Sequence, residues 1–310
     1  FFVRYHLAAA PPTDADLATY RLQIGGHVGR TQALRLPDLQ RLPTSEVVAV
    51  NQCSGNSRGF TTPRVGGGQA ANGMMGNARW TGVSLRRVLE LAGVRSGAKQ
   101  VRFDGLDAPV HPATPDYAKA LDIGHAMDGE VMLAWAMNGE PLPLLNGYPL
   151  RLVVPGYYGT YWMKHLSQIT VLDHVLDNYW MTTAYRIPDN DCACVPPGGR
   201  PERTRPIGRL NLRSFITSPH DGAAVKAGKP LTVRGIAFDG GSGVAQVRVS
   251  SDGGRTWSPA RLGEDLGPYS FRSWSAQLEL PAGPRRLAVS AVANSGETQP
   301  EVSHWNPSGY

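Results

Sequence analysis

Apolar and polar positions follow one pattern up to about residue 186 and another after about residue 212. In the first part, short apolar runs alternate with turns and a few helical stretches. Residues 20–26 read as a strand and turn, and residues 36–43 as a short helix closed by proline. Val47-Val48-Ala49-Val50 has the length and composition of a buried strand. Residues 81–93 carry the clearest helical period: Leu85, Val88, Leu89 and Ala92 share a face, and Gly93 can end it. Residues 101–103 predict another strand. Residues 131–154 predict a strand, an Asn138-Gly139 turn and a second buried strand. Residues 1–20 read as mostly extended, and the alternation of the first six places Arg4 and His6 on one side of a strand.

The later pattern is that of short alternating strands, at 231–237, 247–250, 274–280 and 287–293, with a hairpin turn at Ser251-Asp252-Gly253-Gly254. Strands at this spacing predict a β-sandwich. Between the two patterns, residues 187–208 are dominated by proline and arginine and read as a linker. The expected class is therefore α+β, with a mixed domain over 1–205 and a β-sandwich over 206–310. A chain of 310 residues has room for two such cores, and its 36 glycines and 25 prolines suit a turn-rich, strand-rich fold.

Composition narrows the function. With 41% hydrophobic and 18% charged residues the chain reads as a soluble globular protein, and no apolar run is long enough to span a bilayer. The first residues, Phe1-Phe2-Val3 followed by Arg4, do not read as a signal peptide. The formal charge is +6, but the arginines are dispersed, so no nucleic-acid footprint is expected. Positive charge does favour an anionic substrate or cofactor. Of three cysteines, Cys192 and Cys194 are too closely spaced for a C-x-x-C site; they can form a disulfide in an oxidising compartment or stay two free thiols, and the thiols are favoured. No C-x-x-C-H occurs, so no c-type haem is expected on this chain. His111, His125 and His165 are scattered without metal-ligand spacing. Trp180 reads as core packing.

The chemistry concentrates in Asn51-Gln52-Cys53-Ser54-Gly55-Asn56-Ser57-Arg58-Gly59-Phe60. A thiol at a rigid strand end, with a cation five residues on, suits a thiolate, which is a nucleophile or a soft metal ligand. An inert buried cysteine is the plain alternative. The glycine-rich loop at 63–77 lacks the Lys-Ser/Thr ending of a phosphate P-loop.

The loop resembles the Gln-Cys-x-Gly-Asn-x-Arg pattern of the sulfite oxidase family of molybdenum enzymes. More of the chain matches in order: residues 1–6, Ala78-Arg79-Trp80-Thr81-Gly82-Val83, Met137-Asn138-Gly139-Glu140-Pro141-Leu142-Pro143, residues 147–156 and Lys164. Within the family the resemblance is to bacterial periplasmic sulfite dehydrogenases. It implies one molybdenum–molybdopterin per chain, with Cys53 as the metal's protein ligand. Phe2, His6, Arg151 and Lys164 are implied as cofactor contacts. Arg4, Arg58 and Tyr185 are implied at the substrate, with Arg272 as a looser match. Asn146 departs from the pattern, standing where the animal enzymes have His.

The implied function is oxidation of sulfite to sulfate, with electrons leaving singly to a separate c-type cytochrome, in the periplasm. The sandwich resembles the family's immunoglobulin-like dimerisation domain, so a homodimer, or a heterodimer with a cytochrome subunit, is expected. Relatives usually continue with one more strand, which suggests trimming after Tyr310. The main alternative is a nitrate-reductase-type molybdenum domain of the same fold. A Cys/His hydrolase and a two-domain binding protein explain less of the pattern.

Overall fold

A computed structural model describes residues 1–7 and 13–310. Contacts divide the chain into two compact units: Phe1–Val47, Asn51–Gly208 and Trp305–Tyr310 make the first, and Val48–Val50 and Arg209–His304 the second.

The first unit carries strands β1 (Leu22–Gly26), β2 (Gln32–Leu34), β3 (Thr44–Gln52, apart from Val48–Val50), β4 (Met75–Ser84), β5 (Gln100–Gly105), β6 (Ala118–Asp122), β7 (Met132–Met137), β8 (Glu140–Pro141), β9 (Arg151–Val153), β10 (Leu166–Leu172), β11 (Arg186–Pro188) and β12 (Thr204–Pro206). Its helices are short: α1 (Asp14–Thr19), α2 (Leu36–Gln40), α3 (Leu85–Ala92), α4 (Ile123–Ala126) and α5 (Tyr179–Thr182). One sheet has the order β2-β1-β10-β5-β6, with β1 and β10 parallel and the other pairs antiparallel. The second has the order β3-β4-β7-β8, with β9 also on β7. Helix α3 packs on β1, β4 and β7 through Leu85, Val88, Leu89 and Ala92, all buried, and Gly93 closes it at φ 68°. Each of the buried Leu and Val side chains stabilises the fold by roughly 1.5–3 kcal/mol.

Several expectations are corrected. Residues 81–84 are the end of β4 rather than the start of a helix, because they pair with β7: Gly82 opposite Ala134, Val83 opposite Leu133. Residues 1–7 form no strand; side-chain contacts hold them instead of a ladder. Asp14–Thr19 is helical, started by Thr13, whose hydroxyl accepts from Asp16 N. The proline-rich stretch 187–208 is no free linker, since β11 and β12 pair within it and it belongs to the first unit. Cys192 and Cys194 form a disulfide, with Cα atoms 5.1 Å apart. Ala193 between them takes φ 48°, which brings the two side chains to the same side.

The second unit is a β-sandwich. Strands β13 (Arg213–Ser218), β14 (Pro230–Phe238), β17 (Arg261–Leu262) and β18 (Arg272–Glu279) form one sheet in the order β13-β14-β18-β17. Strands β15 (Val244–Ser250), β16 (Ser258–Pro259) and β19 (Ala288–Ala293) form the other, in the order β16-β15-β19. The core joins Val233, Ala237, Val247, Val249, Trp274 and Ala291. Trp274 lies over Gly235, where a Cβ would stand 2.2 Å from its ring, and its indole N–H donates to Ser214 Oγ at 2.9 Å. The Asp252 carboxylate holds the β15–β16 turn by accepting from Arg255 N and Thr256 N, each at 2.9 Å. No described helix is long and apolar enough to cross a membrane.

Candidate active site

Strand β3 ends at Gln52 and delivers Cys53 to the edge of a cleft. The loop that follows is fixed by its own polar groups. Cys53 N–H donates to Met74 O at 3.0 Å, Asn56 N–H donates to Cys53 O at 2.9 Å, and Asn56 Oδ1 accepts from Met74 N. Ser57 takes φ 71° and its hydroxyl donates to Asn72 Oδ1 at 2.5 Å. Cys53 keeps a free, half-buried thiol.

The cleft, counted with the open space at its mouth, spans about 1060 Å³. Phe2, Arg4, His6, Cys53, Arg58, Arg151, Lys164 and Tyr185 all line it. Eight of the nine residues that the sequence singles out are thus brought together from positions 2 to 185. Arg272 is the exception. It belongs to the second unit, where its guanidinium donates to Val244 O and Gly263 O and pairs with Asp265 at 3.4 Å.

One side of the cleft is a cationic cradle. Arg151 is 3% exposed, lies 4.8 Å from the Trp80 ring centre and donates to Asn146 O at 2.9 Å. Its Nε is buried without a partner. Burial pushes its pKa down to about 9. Lys164 sits 3.0 Å above the Tyr5 ring and donates to Leu145 O; burial, then Arg151, push its pKa down to about 7. Among the described residues, neither is in an ion pair. Arg151 is buried, and Lys164 is half-buried with the Asp107 carboxyl acting on it; a desolvated cation outside an ion pair is costly and is relieved by a bound anion. Asn146, the departure from the family pattern, is buried and lines the same cleft, with its amide 3.5 Å from Phe2 O.

The other side is aromatic. His6 stacks on Tyr117 at 3.7 Å between ring centres, and its Nε2 lies 2.6 Å from the Tyr185 hydroxyl. Burial, then Arg4, Lys119 and Lys164, push the His6 pKa down to about 3, so the ring is neutral. Burial raises the Tyr185 pKa, with Tyr310 and Cys53 adding, so the phenol keeps its proton. Tyr185 holds φ 57°, a costly conformation for a bulky residue, and β11 begins immediately after it. Trp180 is half-buried in this cluster rather than in a core, donating to Asp116 O at 2.8 Å.

Sequence reasoning missed three residues here. Asp107 lines the cleft, its carboxyl pushed up mainly by burial. Tyr310 lines it too, brought by Trp305–Tyr310. Lys119 is fully buried behind Tyr185; its ammonium donates to Trp180 O at 2.7 Å and lies over the Tyr161 and Tyr185 rings. Burial, with Arg186 adding, pushes its pKa down to about 7. The only sequence signal for Lys119 is a lysine breaking the apolar run Tyr117-Ala118-Lys119-Ala120-Leu121.

The family described as "Oxidoreductase molybdopterin binding domain" matches residues 8–180, more than half of the chain. The chain belongs to the sulfite oxidase family of molybdopterin oxidoreductases. A second family, "Mo-co oxidoreductase dimerisation domain", matches residues 204–310. The chain is 36% identical to mitochondrial sulfite oxidase of Homo sapiens, aligned over 100% of its own length and 58% of that protein's. It therefore spans little more than half of that relative. Against sulfite oxidase of Gallus gallus the identity is also 36%, covering 69% of that protein. The structure of sulfane dehydrogenase SoxCD from Paracoccus pantotrophus is similar with a TM-score of 0.82 and 29% identity, covering 96% of this chain and 72% of that one.

The family's cofactor is molybdenum–molybdopterin, and the cleft fits it. Cys53 offers a free sulfur at the cleft that can serve as a metal ligand. Arg151, with its unpartnered Nε, and Lys164 offer charge to an anionic pterin phosphate.

Proposed function

We propose that this protein oxidises sulfite to sulfate and passes the electrons singly to a separate c-type cytochrome. The observation that carries this reading is the position of Arg4 and Arg58, in the same cleft as the Cys53 thiol and outside any ion pair among the described residues. Sulfite is a small anion, and guanidinium forks match its oxygens. The bound molybdenum–pterin group supplies the two-electron oxidation. The chain's own residues bind and orient around it. Cys53 would ligate the metal, Arg151 and Lys164 would hold the pterin, and Phe2 and His6 would contact it. Arg4 and Arg58 would neutralise the substrate. Tyr185, protonated and set by His6, would donate a hydrogen bond to a substrate oxygen. The two sulfite oxidase relatives support the substrate.

We place the protein in the periplasm. The Cys192–Cys194 disulfide supports an oxidising compartment. The dimerisation domain supports a homodimer or a pairing with a cytochrome subunit.

The test is molybdenum content and sulfite-dependent cytochrome c reduction on one purified sample. About one molybdenum per chain with sulfite-driven reduction is expected. Metal without sulfite turnover would overturn the substrate. Nitrate with a reduced dye would then test the nitrate-reductase reading, and a sulfane donor would test the activity named for the Paracoccus structure. No metal, in protein from a host able to supply the cofactor, would overturn the whole reading.

A further inference from the structure

Arg58 does not reach its place in the cleft unaided. It runs past three glycines: a Cβ on Gly55 would lie 2.8 Å from its Nη1, one on Gly67 2.6 Å from the same atom, and one on Gly309 3.0 Å from its Cγ. Its Nε donates to Ser308 O at 3.0 Å, and its guanidinium lies 5.1 Å from the centre of the Tyr310 ring. That ring also stacks on Tyr185 at 5.8 Å and 16°.

Ser308 and Tyr310 are themselves held firmly. Asn306, 3% exposed, accepts from Ser308 N and Tyr310 N through Oδ1 and donates to Tyr310 O at 2.7 Å. At the base of the segment, Trp305 Nε1 donates to Pro63 O at 2.9 Å, and Trp305 O accepts from Val195 N at 3.0 Å. The Ser308 hydroxyl donates to Arg186 O at 3.1 Å, next to Tyr185.

We propose that Tyr310 is a positioning residue for substrate binding: its ring, with the Ser308 carbonyl, fixes the Arg58 guanidinium against Tyr185 so that both face the same anion. A free arginine loses several rotors on binding; one already seated between a carbonyl and a ring face loses less. A partly desolvated cation–π contact also holds the guanidinium plane in one orientation. The inference rests on the sulfite reading for the identity of the anion, and on the cleft's geometry for the rest.

The test uses molybdenum-loaded protein and two readouts: sulfite kinetics, and sulfate binding by titration calorimetry. Tyr310→Ala is expected to raise the sulfite KM and the sulfate Kd about tenfold, with kcat within about twofold, the size of a partly desolvated cation–π contact. Tyr310→Phe, which keeps the ring, is expected to restore most of that affinity. Gly309→Ala keeps the ring but drives a methyl against Arg58 Cγ and Val65 Cγ2, and is expected to weaken sulfate binding as well. In an Arg58→Gln background, Tyr310→Ala is expected to add less than about twofold, because the two residues act as one unit. Unchanged sulfate Kd in Tyr310→Ala, or effects that multiply in the double variant, would overturn the inference. Sulfate binding without sulfite turnover in the wild type would overturn the sulfite reading alone, and the sulfate constants would still decide Tyr310.

Discussion

At the scale of single residues, the cleft separates groups by what a substitution removes. Cys53→Ser keeps the shape of the β3 loop, whose hydrogen bonds run through backbone groups and Asn56, but removes the only free thiol among the described residues. It is expected to abolish turnover; substantial activity in a molybdenum-loaded Cys53→Ser sample would refute the ligand assignment. If Arg4 binds the substrate as proposed, Arg4→Gln removes one hydrogen bond to a charged group, worth roughly 1.5–3 kcal/mol. It is expected to raise the sulfite KM by roughly ten- to a hundredfold. Steady-state kinetics with kcat and KM separated checks this, and an unchanged KM would remove Arg4 from the substrate. The residues that could be read from the sequence share a property: Cys53 and Arg58 lie in one contiguous loop, and Arg4 and His6 in one hexapeptide. Tyr310 has no such local mark, and Lys119 has only its break in the apolar run at 117–121. Tyr310 acquires its role by meeting Arg58 across some 250 positions, and Lys119 by lying under two tyrosine rings.

At the scale of elements, local period was informative and partner choice was not. The apolar face of α3 was visible as Leu85, Val88, Leu89 and Ala92, and all four are buried. The start of the helix was not visible, because residues 81–84 have no intrinsic mark that sets them apart until β7 pairs with them. Gly82 shows why that pairing is close: a Cβ there would stand 2.0 Å from Leu133 O. The same logic explains the first seven residues. Their alternation suggested a strand, but the Phe1–Trp80 and His6–Tyr117 ring contacts hold them instead. The α3 face gives a direct stability test. Leu89 is 0% exposed, so Leu89→Ala leaves a cavity and is expected to cost roughly 2–5 kcal/mol. Denaturant unfolding read at two wavelengths measures it, and a loss below about 1 kcal/mol would mean that the face repacks.

At the scale of the whole molecule, net charge and buried charge make different statements. The formal charge of +6 is mild, yet the first unit buries Lys119 and Arg151 and half-buries Lys164, all outside any ion pair among its described residues. Burial lowers the pKa of both lysines from 10.5 to about 7. Between those values the unfolded chain binds more protons than the fold, so stability rises with pH across that window and is lost as pH falls towards 7. Each lysine adds at most about 1.4 kcal/mol per pH unit. The upper end is cut short by tyrosines such as Tyr161 and Tyr185, whose raised pKa values make the fold resist ionisation that the unfolded chain undergoes near pH 10. The usable window is therefore about pH 7 to 9. Two comparisons separate the lysines. Lys119→Met removes one contribution and is expected to flatten the rise. On the proposed reading, the loaded cofactor would place an anion beside Lys164 and not beside Lys119, whose ammonium is committed to Trp180 O. Cofactor-free protein should thus gain more stability from pH 7 to 9 than loaded protein does, while Lys119→Met flattens both by a similar amount. Equal slopes in loaded and cofactor-free protein would show that Lys164 does not face the anion, and would detach the cationic cradle from the pterin.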